Sequence, residues 1–318
     1  MKRLAKQIIS IALLTAFFVS INVTVYGVVI RRCINDGNDE MKAKSIEVSK
    51  FLPFDEDSQI VKVEGTKLTG KLPIVDGAAA LFPLFSSYVH RLYPEDSVKY
   101  KDGEFEDGSS LIYTNTRGAY KGIVDGQCDI AFLAKPSSSQ LDYAREKGVT
   151  LKFTPIGREA FVFLVNSKNP VDSLSVDQVK GIYSGRIKNW KEVGGDNRIC
   201  CPLQRNEGSG SQTAMKSFMG DEKMVDTRLT GLFGQSIGFS FRYYVEGLSN
   251  SSGVKMISLD GIEPNKDNIR DGSYPVVNDI FMVTRENETN PNVESFVNYV
   301  LSPEGQDIEE KVGYVGVC

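Results

Sequence analysis

From Lys71 to the C-terminus the chain alternates short apolar runs with amphipathic helical patterns, and that alternation leaves few architectures open. Leu72–Val75 reads as a strand and Ala79–Tyr93 as a helix. Leu111–Tyr113 (strand), Arg117–Asp125 (helix), Asp129–Ala134 (strand) and Ser138–Lys147 (helix, closed by Gly148) continue the series. Two β-rich runs follow at Leu151–Pro155 and Ala160–Val165. A second series reads Ser175–Tyr183 helix, Ile199–Gln204 strand, Ser211–Met219 helix and Val254–Leu259 strand. The long apolar run Val276–Val283 precedes helices at Asn292–Leu301 and Pro303–Lys311. Phe239–Tyr244 reads as a core helix or a strand edge. The implied class is α/β, with mostly parallel pairing and helices on the sheet faces.

A chain of 318 residues is long for one core and suits two lobes of about 100–150 residues each. The pattern predicts that the chain leaves lobe one near residue 155 and returns near residue 275. Lobe one is then 71–155 with 275–318, and lobe two is 156–274. Two crossings make a hinge, which permits closure on a ligand. One large open sheet is the alternative. Residues 31–70 read as a polar, weakly periodic tether with one apolar patch at Phe51-Leu52-Pro53-Phe54, suited to packing on the body.

Residues 1–30 carry Lys2, Arg3 and Lys6 and no acid, and Ile8–Ile30 is free of charge. Such a run spans a bilayer core of about 30 Å, and the preceding positive charges suit a membrane anchor or the start of a signal peptide. Val25-Tyr26-Gly27 is a poor cleavage site, and Ile30-Arg31-Arg32 before Cys33 is no lipobox, so an uncleaved anchor fits better. Either reading places the body outside the cytoplasmic membrane, at the cell surface or secreted. Of the chain's 37 basic residues, the 34 beyond this segment face 41 acidic ones, a net of −7. An acidic body argues against nucleic acid.

The five cysteines, Cys33, Cys128, Cys200, Cys201 and Cys318, show neither a disulfide framework nor zinc spacing, and are read as unpaired thiols packed as small hydrophobes. His90 is the only histidine, so neither a histidine metal site nor, without it, a Ser–His triad can be assembled. No paired carboxylates stand out among Asp125, Asp129, Glu207 and Asp279. No catalytic residue, metal or cofactor is expected.

The chemistry concentrates in Gln204-Arg205-Asn206-Glu207-Gly208-Ser209-Gly210-Ser211-Gln212-Thr213, which follows a strand and opens a helix. Glycines let the backbone approach a ligand, free N–H groups at the helix start favour negative charge, and Ser209 and Ser211 add hydroxyls. Arg205 offers a planar fork of donors suited to a tetrahedral oxyanion. Asp76-Gly77-Ala78-Ala79-Ala80 and Tyr113-Thr114-Asn115-Thr116-Arg117-Gly118 are two further strand-to-helix junctions, with Thr116 placed as an N-cap. In an open α/β sheet, ligands lie beyond the carboxyl ends of the strands, where all three junctions fall.

The sequence resembles the substrate-binding proteins of phosphate ABC transporters, of the periplasmic-binding-protein-like class. The residues that carry the likeness are Asp76–Leu84, Thr116–Tyr120, Asp129–Phe132, Ile182–Gly195 with its Tyr183-Ser184-Gly185 and Trp190, Gln204-Arg205 with Ser209–Thr213, and Ser302–Gln306. The likeness runs from about residue 71 to the C-terminus. It implies a two-lobed type II fold of two mixed sheets joined by a hinge, inorganic phosphate as ligand and a transporter permease as partner. It implies phosphate contacts at Ala78, Ala79, Thr116, Arg205, Ser209, Gly210 and Ser211. Members of the family often have hydroxyls where this chain has Ala78, Ala79 and Leu81, so only backbone donors are expected there. Where the best-known members place an acid to accept the phosphate's proton, this chain reads Leu133-Ala134-Lys135-Pro136, and Lys135 is expected to add positive charge. Phosphate and sulfate both remain open on this reading. The rival readings are a membrane-anchored interaction or envelope protein that keeps the fold without the ligand, and a phosphate-ester hydrolase.

Overall fold

A computed structural model describes residues 46–225, 235–248 and 253–317. In chain order the first lobe opens with β1 (Val75–Gly77), a 3-10 turn (Ala79–Leu81) and α1 (Phe82–Leu92), followed by a small hairpin of β2 (Tyr100–Lys101) and β3 (Glu104–Phe105). Then come α2 (Asn115–Asp125), β4 (Ile130–Leu133), α3 (Ser138–Glu146) and β5 (Leu151–Asn166). The second lobe adds β6 (Ser173–Leu174), α4 (Val176–Ser184), β7 (Cys200–Pro202), α5 (Gly210–Met219), β8 (Gln235–Phe241), β9 (Val254–Leu259) and α6 (Lys266–Arg270). The chain returns through β10 (Val277–Arg285) to α7 (Pro291–Val300), α8 (Pro303–Val312) and β11 (Val315–Gly316).

Local chemistry sets the element ends. Ser137 with Gln140, and Ser175 with Gln178, form capping boxes that start α3 and α4. Gly126 and Gly185 take left-handed backbone to stop α2 and α4. Pro291 and Pro303 stand in the first turns of α7 and α8, where a missing N–H costs nothing.

The strands pair in the order β1-β4-β10-β5-β8-β7, with β11 and β9 also on β5 and β6 on β9. β1 and β4 are parallel, as are β7 and β8, while β10 and β5 run antiparallel. The N-terminal part of β5 pairs with β10, and its C-terminal part with β8 and β9. One 16-residue strand therefore belongs to both sheets. The two runs Leu151–Pro155 and Ala160–Val165 are this single strand. Pro155, which cannot donate to the ladder, is accommodated because the register shifts beside it, Ile280 facing Gly157 and Phe281 facing Pro155.

Each sheet has its own core. On β4, Ile130 and Phe132 face α1, α7 and α8, while Ala131 and Leu133 face α2 and α3. In the second lobe Phe161, Phe163, Phe239 and Trp190 pack with Tyr183 of α4 and Met215 and Met219 of α5. Burying one such side chain stabilises the fold by about 1.5–3 kcal/mol. Trp190 sits against Gly195 and donates Nε1–H to the Gln235 carbonyl at 2.9 Å, which makes it a packing residue.

Two expectations need correction. From residue 46 the stretch read as a tether is built onto the first lobe: Ile46, Phe51 and Ile60 are buried in its core. Ser86 Oγ donates to the Phe51 carbonyl at 2.5 Å, Ser87 Oγ accepts from Val61 N–H at 3.1 Å, and Lys67 Nζ donates to the His90 carbonyl at 2.6 Å. Its hydrogen bonds go to α1 in place of a ladder, so no periodicity shows in the sequence. Leu111, expected in a strand, makes only one bridge, to Val75. The apolar segment at 8–30 and residues 31–45 lie outside the described residues. Among those described, no helix is long and apolar enough to cross a membrane.

Candidate functional site

A cavity of ≈ 580 Å³ lies where the strand-to-helix junctions of the two lobes face each other. Ala78, Ala79, Thr116, Arg205, Ser209, Gly210 and Ser211 all line it.

At the first junction, Ala78 N–H is already engaged by the Phe132 carbonyl at 2.9 Å, so the open donors begin at Ala79. This corrects the expectation of a free Ala78 donor, because the residue extends the β1–β4 ladder one step beyond β1. The second junction is tied to the first by Asp76. Its Oδ1 accepts from Gly77 N–H at 2.7 Å and Thr114 N–H at 3.0 Å, and its Oδ2 accepts from the Thr114 hydroxyl. Asp76 is buried, and burial raises its pKa against the pull of these bonds. It does not line the cavity; it ties together two of the loops that do.

The N-cap expectation for Thr116 is also corrected. The helix starts earlier, with Thr114 at the cap position and Asn115 Oδ1 accepting from Arg117 N–H at 3.0 Å. Asn115 takes left-handed backbone (φ 63°) to do so. Thr116 is thereby relieved of capping, and its hydroxyl is left to the cavity.

At the third junction Gly208 has φ 80°, the left-handed turn that glycine permits. Ser209 caps α5, its Oγ accepting from Gln212 N–H at 3.2 Å, and Gln212 Oε1 accepts from Arg205 N–H at 2.8 Å. A carbon built at Gly210 would stand 3.8 Å from Thr116 Oγ1, so second and third junctions meet across the cleft.

The Arg205 side chain is half-buried, and no carboxylate pairs with it among the described residues. Burial lowers its affinity for its proton, with the nearby Tyr244 acting in the opposite sense. A desolvated cation without a counter-ion is costly, and an anion supplied from solution relieves that cost. Arg117, also without a carboxylate partner among the described residues, lines the same cavity.

The other charged candidates fall elsewhere. Arg242 is buried and committed to Glu159 at 3.2 Å, to Glu246 and to the Gly313 carbonyl at 2.6 Å. Lys135 is exposed and does not line the cavity; Ala134 does. Glu207 lines it but pairs with Lys216 at 2.7 Å. His90 is buried on α1 with Nε2 3.6 Å from Glu64, far from the cleft lining. Cys128, Cys200 and Cys201 are buried. The sequence reading did not assign Tyr113, Ser240, Phe241, Tyr244, Asn278 and Tyr314 to the site, though they form much of the remaining wall. Tyr113 opens the second junction, and Ser240, Phe241 and Tyr244 stand in the run 239–244, whereas Asn278 and Tyr314 gave no local signal.

A family model described as a PBP superfamily domain matches residues 74–304. The chain belongs to this superfamily. Curated relatives include the phosphate-binding protein PstS of Borreliella burgdorferi, 25% identical over 185 residues, covering 52% of this chain and 66% of that protein. PstS of Staphylococcus aureus (strain USA300) is 26% identical over 260 residues, 76% of each chain. Among solved structures, one described as a phosphate ABC transporter substrate-binding protein with bound phosphate from Clostridium perfringens aligns with TM-score 0.58 at 21% identity. It covers 80% of this chain and 100% of that one. An ABC-type phosphate transport receptor from Vibrio cholerae aligns with TM-score 0.53 at 19% identity, covering 76% of this chain and 98% of that one. The mixed α/β architecture with helix-flanked sheets is thus that of the PBP superfamily, as the sequence resemblance implied.

Proposed function

We propose that this chain is an extracytoplasmic solute-binding protein that captures a tetrahedral oxyanion of the phosphate class and presents it to an ABC transporter permease or a sensor. The observation that carries the reading is the half-buried Arg205, without a carboxylate partner among the described residues, at the meeting point of three helix starts. Ala79, Thr116, Ser209, Gly210 and Ser211 supply further N–H and hydroxyl donors around the same space, and Ala78 shapes its wall. The phosphate in the relatives' names supports the choice of anion. Capture of this kind requires closure and fixed donors, and neither a cofactor nor a catalytic group. A protein that kept the fold but had lost the site would be expected to neutralise or replace Arg205, and this chain does neither among the described residues. The N-terminal apolar segment acts on this reading as anchor or export signal. Isothermal titration with phosphate tests the site: saturable one-to-one binding is expected, and absence of heat with phosphate, sulfate and phosphate esters alike would overturn the reading. A C-terminal reporter active only in the cytoplasm would refute the export half.

A further inference from the structure

The cavity has two chemically different halves. One is the donor cradle of Arg205, Thr116 and the Ser209–Ser211 turn. The other is apolar and aromatic, built from Leu81, Tyr113, Phe241, Tyr244, Ile280 and Tyr314. Burial pushes the Tyr113 hydroxyl up to about 12, so that wall carries no charge near neutral pH. The volume of ≈ 580 Å³ falls among sites for small organic molecules. Inorganic phosphate occupies only about two or three water volumes of roughly 30 Å³ each. Two polar handles also stand apart from the cradle. Ser240 is buried and lines the cavity with no hydrogen bond to its hydroxyl among the described residues, and Asn278 Nδ2 is buried without a partner.

Proton chemistry points the same way. The hydrogen phosphate dianion carries a P–OH whose proton needs an acceptor in a dehydrated site, whereas a monoester or phosphonate dianion has three acceptor oxygens and no such proton. The cradle is rich in donors. Its one acid, Glu207, is engaged by Lys216. Glu159 and Asp279 line the cavity from the crossing strands. Glu159 Oε1 already accepts from Ala160 N–H and Arg242, and its Oε2 from Tyr243 N–H. Asp279 stands 4.0 Å from Arg158.

Resting on the anion-binding reading above, we infer that the preferred ligand is a monosubstituted phosphoryl anion. It is a phosphate monoester or phosphonate whose small apolar or aromatic substituent lies against Tyr113, Phe241 and Tyr244. Titration of the full chain with phenyl phosphate, phenylphosphonate, inorganic phosphate and sulfate tests this. The two phenyl compounds are expected to bind about tenfold or more tighter than inorganic phosphate, the gain a buried ring brings. Tyr113→Ala and Tyr113→Ser are expected to remove most of that advantage while leaving inorganic phosphate within about threefold, with thermal melting confirming folded variants. Inorganic phosphate binding as tightly as the phenyl compounds, or tyrosine variants that weaken both classes equally, would overturn the inference and leave the anion site standing. Failure of all four anions to bind would instead sink the underlying reading.

Discussion

Arg205 and Ser209 look alike from the sequence, as two donors on one loop, but they are held differently. Arg205 makes its only described side-chain interaction with Tyr244, through electrostatics, and the protein holds it partly desolvated. Arg205→Ala should therefore weaken anion binding by about 2–5 kcal/mol, a loss of roughly 30-fold to several thousand-fold. Its melting temperature without ligand should stay level or rise. Arg205→Lys should rescue little, because a point charge cannot reproduce two parallel hydrogen bonds. Ser209 also caps α5, so Ser209→Ala should cost about 0.5–2 kcal/mol of stability as well as a fraction of the affinity. Paired titration and melting separate the two cases. Wild-type affinity in Arg205→Ala would place the site elsewhere, and an unfolded Arg205→Ala would make the residue structural.

The element that joins the lobes is β5, and its tightest point is Gly157. A carbon added there would lie 1.8 Å from Glu309 Oε1 and 2.6 Å from its carboxyl carbon. Glu309 is fully buried on α8, so it has little room to yield. Gly157→Ala should destabilise the protein by about 1–3 kcal/mol, as overpacking does, and denaturant unfolding would show it. An unchanged midpoint would mean that α8 shifts freely on the strand. Pro155 and Gly157 also explain why β5 was read as two pieces: both residues ordinarily end a strand, and only the register shift opposite Ile280 and Phe281 lets this one continue. Alternation of strand and helix was legible because it is local. So were the three strand-to-helix junctions that line the cavity, because the glycines, hydroxyls and Arg205 that mark them lie within a few residues of one another. The strap at 46–70 was not, since its hydrogen bonds to the body go mostly to backbone and side-chain groups of α1 and leave no pattern in its own sequence. The aromatic half of the cavity was hidden for a related reason: Tyr113, Phe241 and Tyr314 meet only when both lobes are assembled, and a lone aromatic residue more often signals core.

Across the whole molecule the buried carboxyls set a pH dependence that runs against the usual gain of stability with rising pH. Burial raises Glu159 to about 7 even beside Arg242, drives Glu309 well above the ordinary range and raises Asp76. Each binds its proton more tightly in the folded chain than in the unfolded one. Their contribution is therefore present below the unfolded value of about 4.5 and is lost as pH rises through the folded value. Groups shifted the other way act in a different window. Asp177, Asp271, Glu288 and Glu310 are lowered, so their stabilisation is lost only as pH falls below the ordinary carboxylate range. His90 is lowered by burial, and its contribution is complete once pH exceeds 6.5. Between about pH 6.5 and 8 the raised carboxyls act without that opposition, and the melting temperature should fall. Glu309 offers the cleaner test. Its Oε2 receives the Tyr88 hydroxyl at 3.4 Å and the Gln306 amide at 3.5 Å, and its Oε1 has no partner among the described residues, as suits a neutral acid. Glu309→Gln keeps shape and neutrality, so it should leave the melting temperature at pH 5.5 nearly unchanged and make the fall toward pH 8 shallower by at least roughly 2 °C. An equally steep fall in wild type and Glu309→Gln would show that this carboxyl is not protonated in the folded protein.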